Sequence, residues 1–178
     1  MWLFVFAVYL PFFIFMLIKH DVSTTPMSLI GWSTGGMHYL ILYLILTLPF
    51  CLFQVFFLNR HFLGNIKLIN LMSVISCVLI TTGAFIPVWE AEPIILLAHT
   101  IICVASSIIL MLTILFALIL YAIRKKHKTV ILSLYGIYAL ALLTGFYILY
   151  TAALFQLMAT LSFFLILLFI NTTSLKTR

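Results

Sequence analysis

The side chains that can exchange protons or bind a metal are few in this chain, and His99 is the most informative of them. It lies in a long apolar segment that begins at Pro93, about 9 Å below that proline if the segment is helical. A histidine at that depth in a membrane is costly unless it faces the protein interior and finds a partner there. An imidazole held in this way can act as a general base or as a ligand. We therefore predict that His99 is the central group of a catalytic or binding site.

Further polar side chains are predicted to lie at the same membrane surface as His99. Asp21, His38 and Glu92 are the supporting candidates for catalysis. Contact with a lipid or another substrate is predicted for five more residues, namely His20, Trp32, Trp89, Glu90 and Gln156. A mixed set of imidazoles and carboxylates can hold zinc or perform acid–base chemistry on a lipid headgroup.

A simpler interpretation stays open for most of these side chains. Carboxylates in an exposed loop can be fully hydrated, and histidines at a membrane surface can be ordinary interfacial residues. The sequence contains none of the HExxH, HxxxH or CxxC spacings typical of metal sites, so it leaves the metal and any cofactor undetermined. Cys51, Cys77 and Cys103 each stand alone in an apolar run and are interpreted as small hydrophobic residues.

The composition indicates which elements must position these residues. Hydrophobic residues make up 66% of the 178 positions, and only 12 residues (9 Lys+Arg and 3 Asp+Glu) carry a formal charge. Such values exclude a soluble globular domain, a disordered chain, a coiled coil and a nucleic-acid-binding protein. We predict an all-α polytopic integral membrane bundle that forms a single transmembrane domain over residues 1–178. Its six transmembrane helices are expected at about 2–18, 37–58, 66–88, 93–123, 130–147 and 150–170.

The distribution of charge predicts how these helices are oriented. With both termini cytoplasmic, all basic residues except Lys19 fall on the cytoplasmic side, namely Arg60, Lys67, Arg124, Lys125, Lys126, Lys128, Lys176 and Arg178. The acidic residues and three of the five histidines then lie on the outer side. The outer loop from Lys19 to Gly36 is expected to be the longest non-helical stretch. A bacterial cytoplasmic membrane is the expected location.

One segment resembles a known superfamily of six-helix membrane proteins. The string Thr82-Gly83-Ala84-Phe85-Ile86-Pro87 precedes a short polar loop and then Ala98-His99-Thr100, near the start of a long helix. This arrangement is similar to that of the damage-regulated autophagy modulators, the GPI-anchor remodelling factors and related bacterial domains of unknown function. The resemblance is specific over about residues 82–107, and it implies association with lipids more readily than any one reaction. An acidic–basic pair that many bacterial members carry near helix 6 is Gln156-Leu157 here.

Two functions from different classes follow from these features. The first is a membrane protein with an outward-facing polar pocket of histidines and carboxylates that binds or modifies a lipid or lipid-linked molecule. The alternative is a non-catalytic membrane subunit that scaffolds a larger membrane complex, in which case the outer histidines are dispensable. The expected partners are membrane lipids and, under the alternative, another membrane protein, but not nucleic acid. Whether the protein is an enzyme stays open.

Overall fold

The computed structural model describes residues 2–23, 25, 27–33, 35–88, 92–125 and 153–176, and every regular element in those ranges is a helix. The helices are α1 (Trp2–Lys19), α2 (Met27–Trp32), α3 (Met37–Phe62), α4 (Lys67–Ala84), α5 (Pro93–Lys125) and α6 (Ala153–Lys176). A π-helical segment, Val5–Tyr9, interrupts α1 near its start. The predicted all-helical class is confirmed for this part of the chain.

The helices have the length and surface of membrane-spanning segments. Among the described residues, α1, α3, α4 and α5 are each long and apolar enough to cross a membrane. Large apolar side chains point outward, including Leu3, Ile18 and Ile94, which are 71–81% exposed. Such a surface favours a hydrocarbon environment over water. The length and composition of these helices are therefore those of an integral membrane protein.

Several predicted boundaries are wrong by about one turn. The helix predicted at 37–58 continues to Phe62, where Arg60 and His61 lie in the last turn and favour the negative end of the helix dipole. The helix predicted at 66–88 already ends at Ala84. The helix predicted at 150–170 is described from Ala153 and continues to Lys176. The helix predicted at 130–147 lies outside the described residues.

The outer loop is also more ordered than the expected non-helical stretch of residues 19–36. It contains the short helix α2, whose Met27, Ile30 and Gly31 are buried. Apolar residues three and four apart place one face of this short helix against the bundle, and that burial stabilises a helix too short to form alone.

The described helices share two ends, which we call the loop end and the basic end. At the loop end, α1 ends beside His20, α3 begins after Gly36, α4 ends at Ala84, and α5 and α6 begin. At the basic end, α3 turns into α4 through residues 63–66, and Arg124 near the end of α5 lies beside Gly64. α5 therefore ends at the basic end, whereas α6 begins at the loop end.

A buried aromatic contact joins α1, α3 and α6. The rings of Tyr9 and Phe164 meet edge to face with centroids 5.0 Å apart, and Phe50 approaches Phe164 in the same way at 4.7 Å. The Tyr9 hydroxyl donates a hydrogen bond to the carbonyl of Leu157 at 3.2 Å. Tyr43 on α3 also contacts α6, since its hydroxyl lies 3.0 Å from that of Thr160. These contacts fix the depth of α6 against α1 and α3.

Candidate functional site

His99 lies between α4 and α5 at the loop end and is hydrogen-bonded to the end of α4. Its side chain is buried, and its Nδ1 atom lies 2.8 Å from the carbonyl oxygen of Gly83. A carbonyl oxygen can only accept, so Nδ1 is the donor. The last carbonyls of a helix lack N–H partners within the helix. His99, on the neighbouring helix α5, donates a hydrogen bond to one of these carbonyls.

The hydrogen bond at Nδ1 determines what the other ring nitrogen can do. In a neutral imidazole with its proton on Nδ1, Nε2 is an acceptor. Nε2 lies 4.0 Å from Sγ of Cys103, one turn further along α5. A thiol is a weak donor, so Cys103 is a weak partner for this nitrogen. His99 is thus oriented by the backbone of α4 and keeps an accepting nitrogen.

The contact between His99 and Gly83 depends on the absence of a side chain at position 83. A Cβ atom there would lie 2.6 Å from Sγ of Cys103 and 3.1 Å from Cγ2 of Ile102. Glycine therefore lets α4 approach α5 closely, as small residues commonly do between membrane helices.

Trp32, at the end of α2, also bonds the end of α4. Its indole Nε1 donates to the carbonyl oxygen of Ala84 at 3.3 Å. Together with His99, this contact provides side-chain donors to two successive carbonyls at the end of α4. The Gly83 carbonyl also accepts from the backbone N–H of Ile86 at 3.1 Å, so the two side-chain donors add to the backbone bond at this helix end.

The loop before α2 provides hydrogen-bond acceptors for the first N–H groups of α6. The backbone N–H groups of Ala153 and Leu154 donate to the carbonyls of Thr25 and Val22, both at 2.8 Å. These N–H groups have no acceptor within α6, so the loop caps that helix. The outer loop therefore connects the ends of α4 and α6.

Asp21 is part of the turn at the start of this loop. Its carboxylate accepts hydrogen bonds from the backbone N–H of Ser23, at 3.3 Å, and from the Ser23 hydroxyl. The side chain is exposed. A carboxylate bonded two residues ahead forms an Asx turn, which accounts for an aspartate at this position.

His20 and His38 pack on the same aromatic ring. The Tyr39 ring centroid lies 4.8 Å from that of His20 and 3.7 Å from that of His38. His38 is exposed and His20 is partly buried. Partial burial lowers the pKa of His20 below its usual value, and repulsion from Lys19 and His38 lowers it further. The lowered pKa favours the neutral form of His20 in the absence of a bound anion.

The predicted site residues thus form separate groups at the loop end. His99 and Trp32 meet at the end of α4, while His20 and His38 meet on Tyr39. Of the other described members, Asp21 forms its turn with Ser23, and Glu92 has an exposed side chain and a carbonyl that accepts from the first turn of α5. Half-buried Gln156 lies in the first turn of α6. Trp89 and Glu90 lie outside the described residues. Within the described ranges, no three histidine, cysteine or acidic side chains gather in a way that could hold a metal ion.

Two polar features were not anticipated from the sequence. Asn59, fully buried in the last turn of α3, bonds both the N–H and the carbonyl of Ile66 at 2.9 Å and also contacts Asn70 at 2.7 Å. The Gly64-Asn65 dipeptide, typical of turns, was the available signal, and both residues have positive φ. In addition, the thiols of Cys51 on α3 and Cys77 on α4 lie next to each other. No spacing in the sequence indicates that pairing.

Comparison with known proteins adds no relative. No protein family, curated protein or solved structure matches the chain.

Proposed function

We propose that this integral membrane protein binds the polar part of a lipid or lipid-linked molecule at its loop end. The observation that carries the proposal is the pair of imidazoles on Tyr39, of which His38 is exposed at the end of membrane-length helices. Lipid headgroups lie at that depth, and imidazole N–H groups are suitable donors to them. Binding needs only the imidazoles of His20 and His38, so we propose binding rather than chemical modification of the lipid.

The proposed orientation places the loop end on the outer side of a bacterial cytoplasmic membrane. Support comes from the charges, since Arg60, Lys67 and Arg124 belong to the basic end and such residues favour the cytoplasm. Residues 126–152 connect the basic end, where α5 ends, to the loop end, where α6 begins. One further crossing in that range would give the six transmembrane helices of the sequence prediction, with both termini cytoplasmic.

The resemblance to the six-helix superfamily supports the same proposal through two residues. Gly83 and His99 carry the similarity in sequence, and they are direct hydrogen-bond partners. The shared motif would then correspond to the hydrogen-bonded contact between α4 and α5, which we call the helix joint. A lipid site at the loop end would be built around that joint.

The second candidate function is a non-catalytic membrane subunit of a larger complex. One observation favours it: His99 and Trp32, two of the predicted site residues, donate to carbonyls at the end of α4. Groups that complete a helix end have a structural role that requires no ligand. Under this function, the exposed apolar helix faces would bind another membrane protein.

Native mass spectrometry of the gently solubilised protein separates the two functions. We expect a lipid adduct on the wild type that is lost in His38→Gln and kept in His61→Gln. His61 is a matched control, because it is also exposed and packs on an aromatic ring, Phe57, at 4.4 Å, but at the basic end. Equal lipid retention in the two variants would contradict the lipid site. A polypeptide partner retained in all forms, without a lipid adduct, would favour the subunit.

Two substitutions of His99 test whether it acts in the site or only in the helix joint. Nδ2 of asparagine occupies nearly the position of Nδ1 of histidine, so His99→Asn keeps a donor for the Gly83 carbonyl, whereas His99→Ala removes it. Loss of the lipid adduct in His99→Ala alone would indicate that lipid binding requires the hydrogen bond to Gly83 and not the imidazole itself. Loss in both variants, with His99→Asn still folded, would indicate that the imidazole itself contributes to binding.

A further inference from the structure

Three basic side chains gather at the loop end around the junction of α1 and α3. Lys19 is the last residue of α1, His20 follows it directly, and His38 lies in the first turn of α3. Lys19 and His38 are exposed, and both repel a proton on His20. A protein that brings basic groups together pays an electrostatic cost, which a bound anion removes.

His20 has a ring nitrogen that no described residue satisfies. Its Nε2 atom is covered, although the residue as a whole is only partly buried, and no hydrogen-bond partner for this atom is found among the described residues. A covered polar atom without a partner is unfavourable. The Tyr39 ring, against which both imidazoles pack, keeps His20 and His38 close together.

The other groups near His20 allow an anion to bind. Asp21, the adjacent carboxylate, lies in a turn with Ser23, and Tyr39 presents an uncharged phenol. The first turn of α3 adds the positive end of a helix dipole beside His38. Among the described neighbours of His20, the charged and titratable groups are thus Lys19, Asp21, His38 and Tyr39.

We propose that Lys19, His20 and His38 bind the phosphate group of a lipid or lipid-linked molecule. The inference rests on the proposed function and names the chemistry that its site recognises. Imidazolium and ammonium N–H groups form short, charge-assisted hydrogen bonds with phosphate oxygens. The phosphate needs no metal, because the three basic side chains supply the positive charge.

Phosphate binding should strengthen as the pH falls. Partial burial, with repulsion from Lys19 and His38, holds the pKa of His20 low in the free protein, and a phosphate beside it raises that pKa. Protonation and phosphate binding therefore favour each other. A phosphodiester lipid keeps a constant charge between pH 8 and 5.5, so any change in its affinity over this range reports on the protein.

The test is titration of the purified full-length protein with three lipids of matched acyl chains, followed by native mass spectrometry. Phosphatidylglycerol carries a net negative phosphodiester, phosphatidylcholine is zwitterionic, and diacylglycerol has no phosphate. We expect phosphatidylglycerol to bind about tenfold more tightly than diacylglycerol at pH 5.5, with a smaller margin at pH 8. Phosphatidylcholine should bind with an affinity between these two, because its choline offsets the charge of its phosphate. The double variant His20→Gln/His38→Gln should lose the margin, whereas His61→Gln should keep it.

The outcomes separate this inference from the proposal on which it rests. Equal affinity for the three lipids in the wild type would overturn the phosphate assignment and leave lipid binding intact. Failure to bind any of them would overturn both. Inorganic phosphate, added as a competitor, identifies the source of the ligand: displacement of phosphatidylglycerol supports a site for free phosphate, and its persistence supports a site for phosphate carried on a lipid.

Discussion

The two ends of α4 are both completed by side chains from neighbouring segments, but with different chemistry. At the basic end, Asn59 bonds the backbone of Ile66 and the side chain of Asn70. At the loop end, His99 and Trp32 donate to the last carbonyls. The amides at the basic end bond one another and the backbone of the turn, whereas the loop end also carries His20 and His38 on the Tyr39 ring. The basic end is therefore a fixed joint, and the loop end combines such a joint with a pair of imidazoles that can bind an anion.

The two ends also differ in the polar groups that are left without a partner. The amide of Asn59 is fully buried and imitates a peptide group within a tight turn. At the loop end, His99 is buried in the same manner, but Nε2 of His20 is covered and has no partner among the described residues. A buried polar side chain that already has its partners is weak evidence for a binding site in this molecule. Exposed basic residues lie at both ends, so the pair of imidazoles on Tyr39 is the better evidence.

Removal of the amide at the basic end should have the largest effect on stability. Asn59→Ala leaves the N–H and carbonyl of Ile66 without their side-chain partner, and we expect it to lower the free energy of unfolding by roughly 2–3 kcal/mol. Unfolding by SDS in mixed micelles measures this loss. Asn70→Ala is the control, because it removes a smaller part of the network and should cost about 1 kcal/mol. An Asn59→Ala protein as stable as the wild type would contradict the claim that Asn59 holds α3 and α4 together at the basic end.

Separation of α4 from α5 at the loop end should have the next largest effect. Gly83→Ala places a methyl group against Cys103 and Ile102, and we expect overpacking of this kind to cost about 1–3 kcal/mol. The neighbouring Thr82→Ala serves as a control, since Thr82 is exposed and its hydroxyl bonds only within α4. Equal effects of the two substitutions in the same SDS unfolding assay would contradict the close approach of the helices.

A smaller effect is expected from the protonation of His20. Its pKa is lower in the folded protein than in the unfolded chain, so between these two values the unfolded chain binds more protons. Folding stability should therefore decrease as the pH falls below the unfolded value of about 6.5 toward the lowered folded value. Thermal unfolding between pH 7 and 5, in detergent without added lipid, measures the slope. His20→Gln should flatten it, and an unchanged slope would show that other groups determine the pH dependence.

The sequence predicted the start of helices better than their ends. Met37 and Pro93 begin α3 and α5 where expected, because the apolar runs start there and Pro93 suits a first turn. The predicted end of α4 was wrong, and side chains from other segments, His99 and Trp32, bond its last carbonyls. The predicted end of α3 was wrong because this helix continues into the turn where Asn59 bonds Ile66. A linear sequence does not show which segment a side chain will meet.

The same reasoning applies to the candidate site. The depth of His99 indicated that it needs a partner, but the partner, Gly83, belongs to another helix. The contact between Cys51 and Cys77 was missed for the same reason, since each residue looks isolated within its own apolar run. By contrast, the neighbours Lys19 and His20 are already adjacent in sequence. The structure adds His38 to them through the Tyr39 ring.

Thermal unfolding with and without added phosphatidylglycerol tests most directly whether the loop end binds a ligand while the basic end only holds the fold. A ligand that binds only the folded state raises its stability by an amount that grows with the logarithm of the ligand concentration divided by Kd. The account predicts that Asn59→Ala lowers the melting temperature yet keeps the lipid-dependent increase. It predicts that His20→Gln/His38→Gln keeps the melting temperature near that of the wild type at pH 7 but loses the increase. The same lipid-dependent increase in both variants would contradict the account.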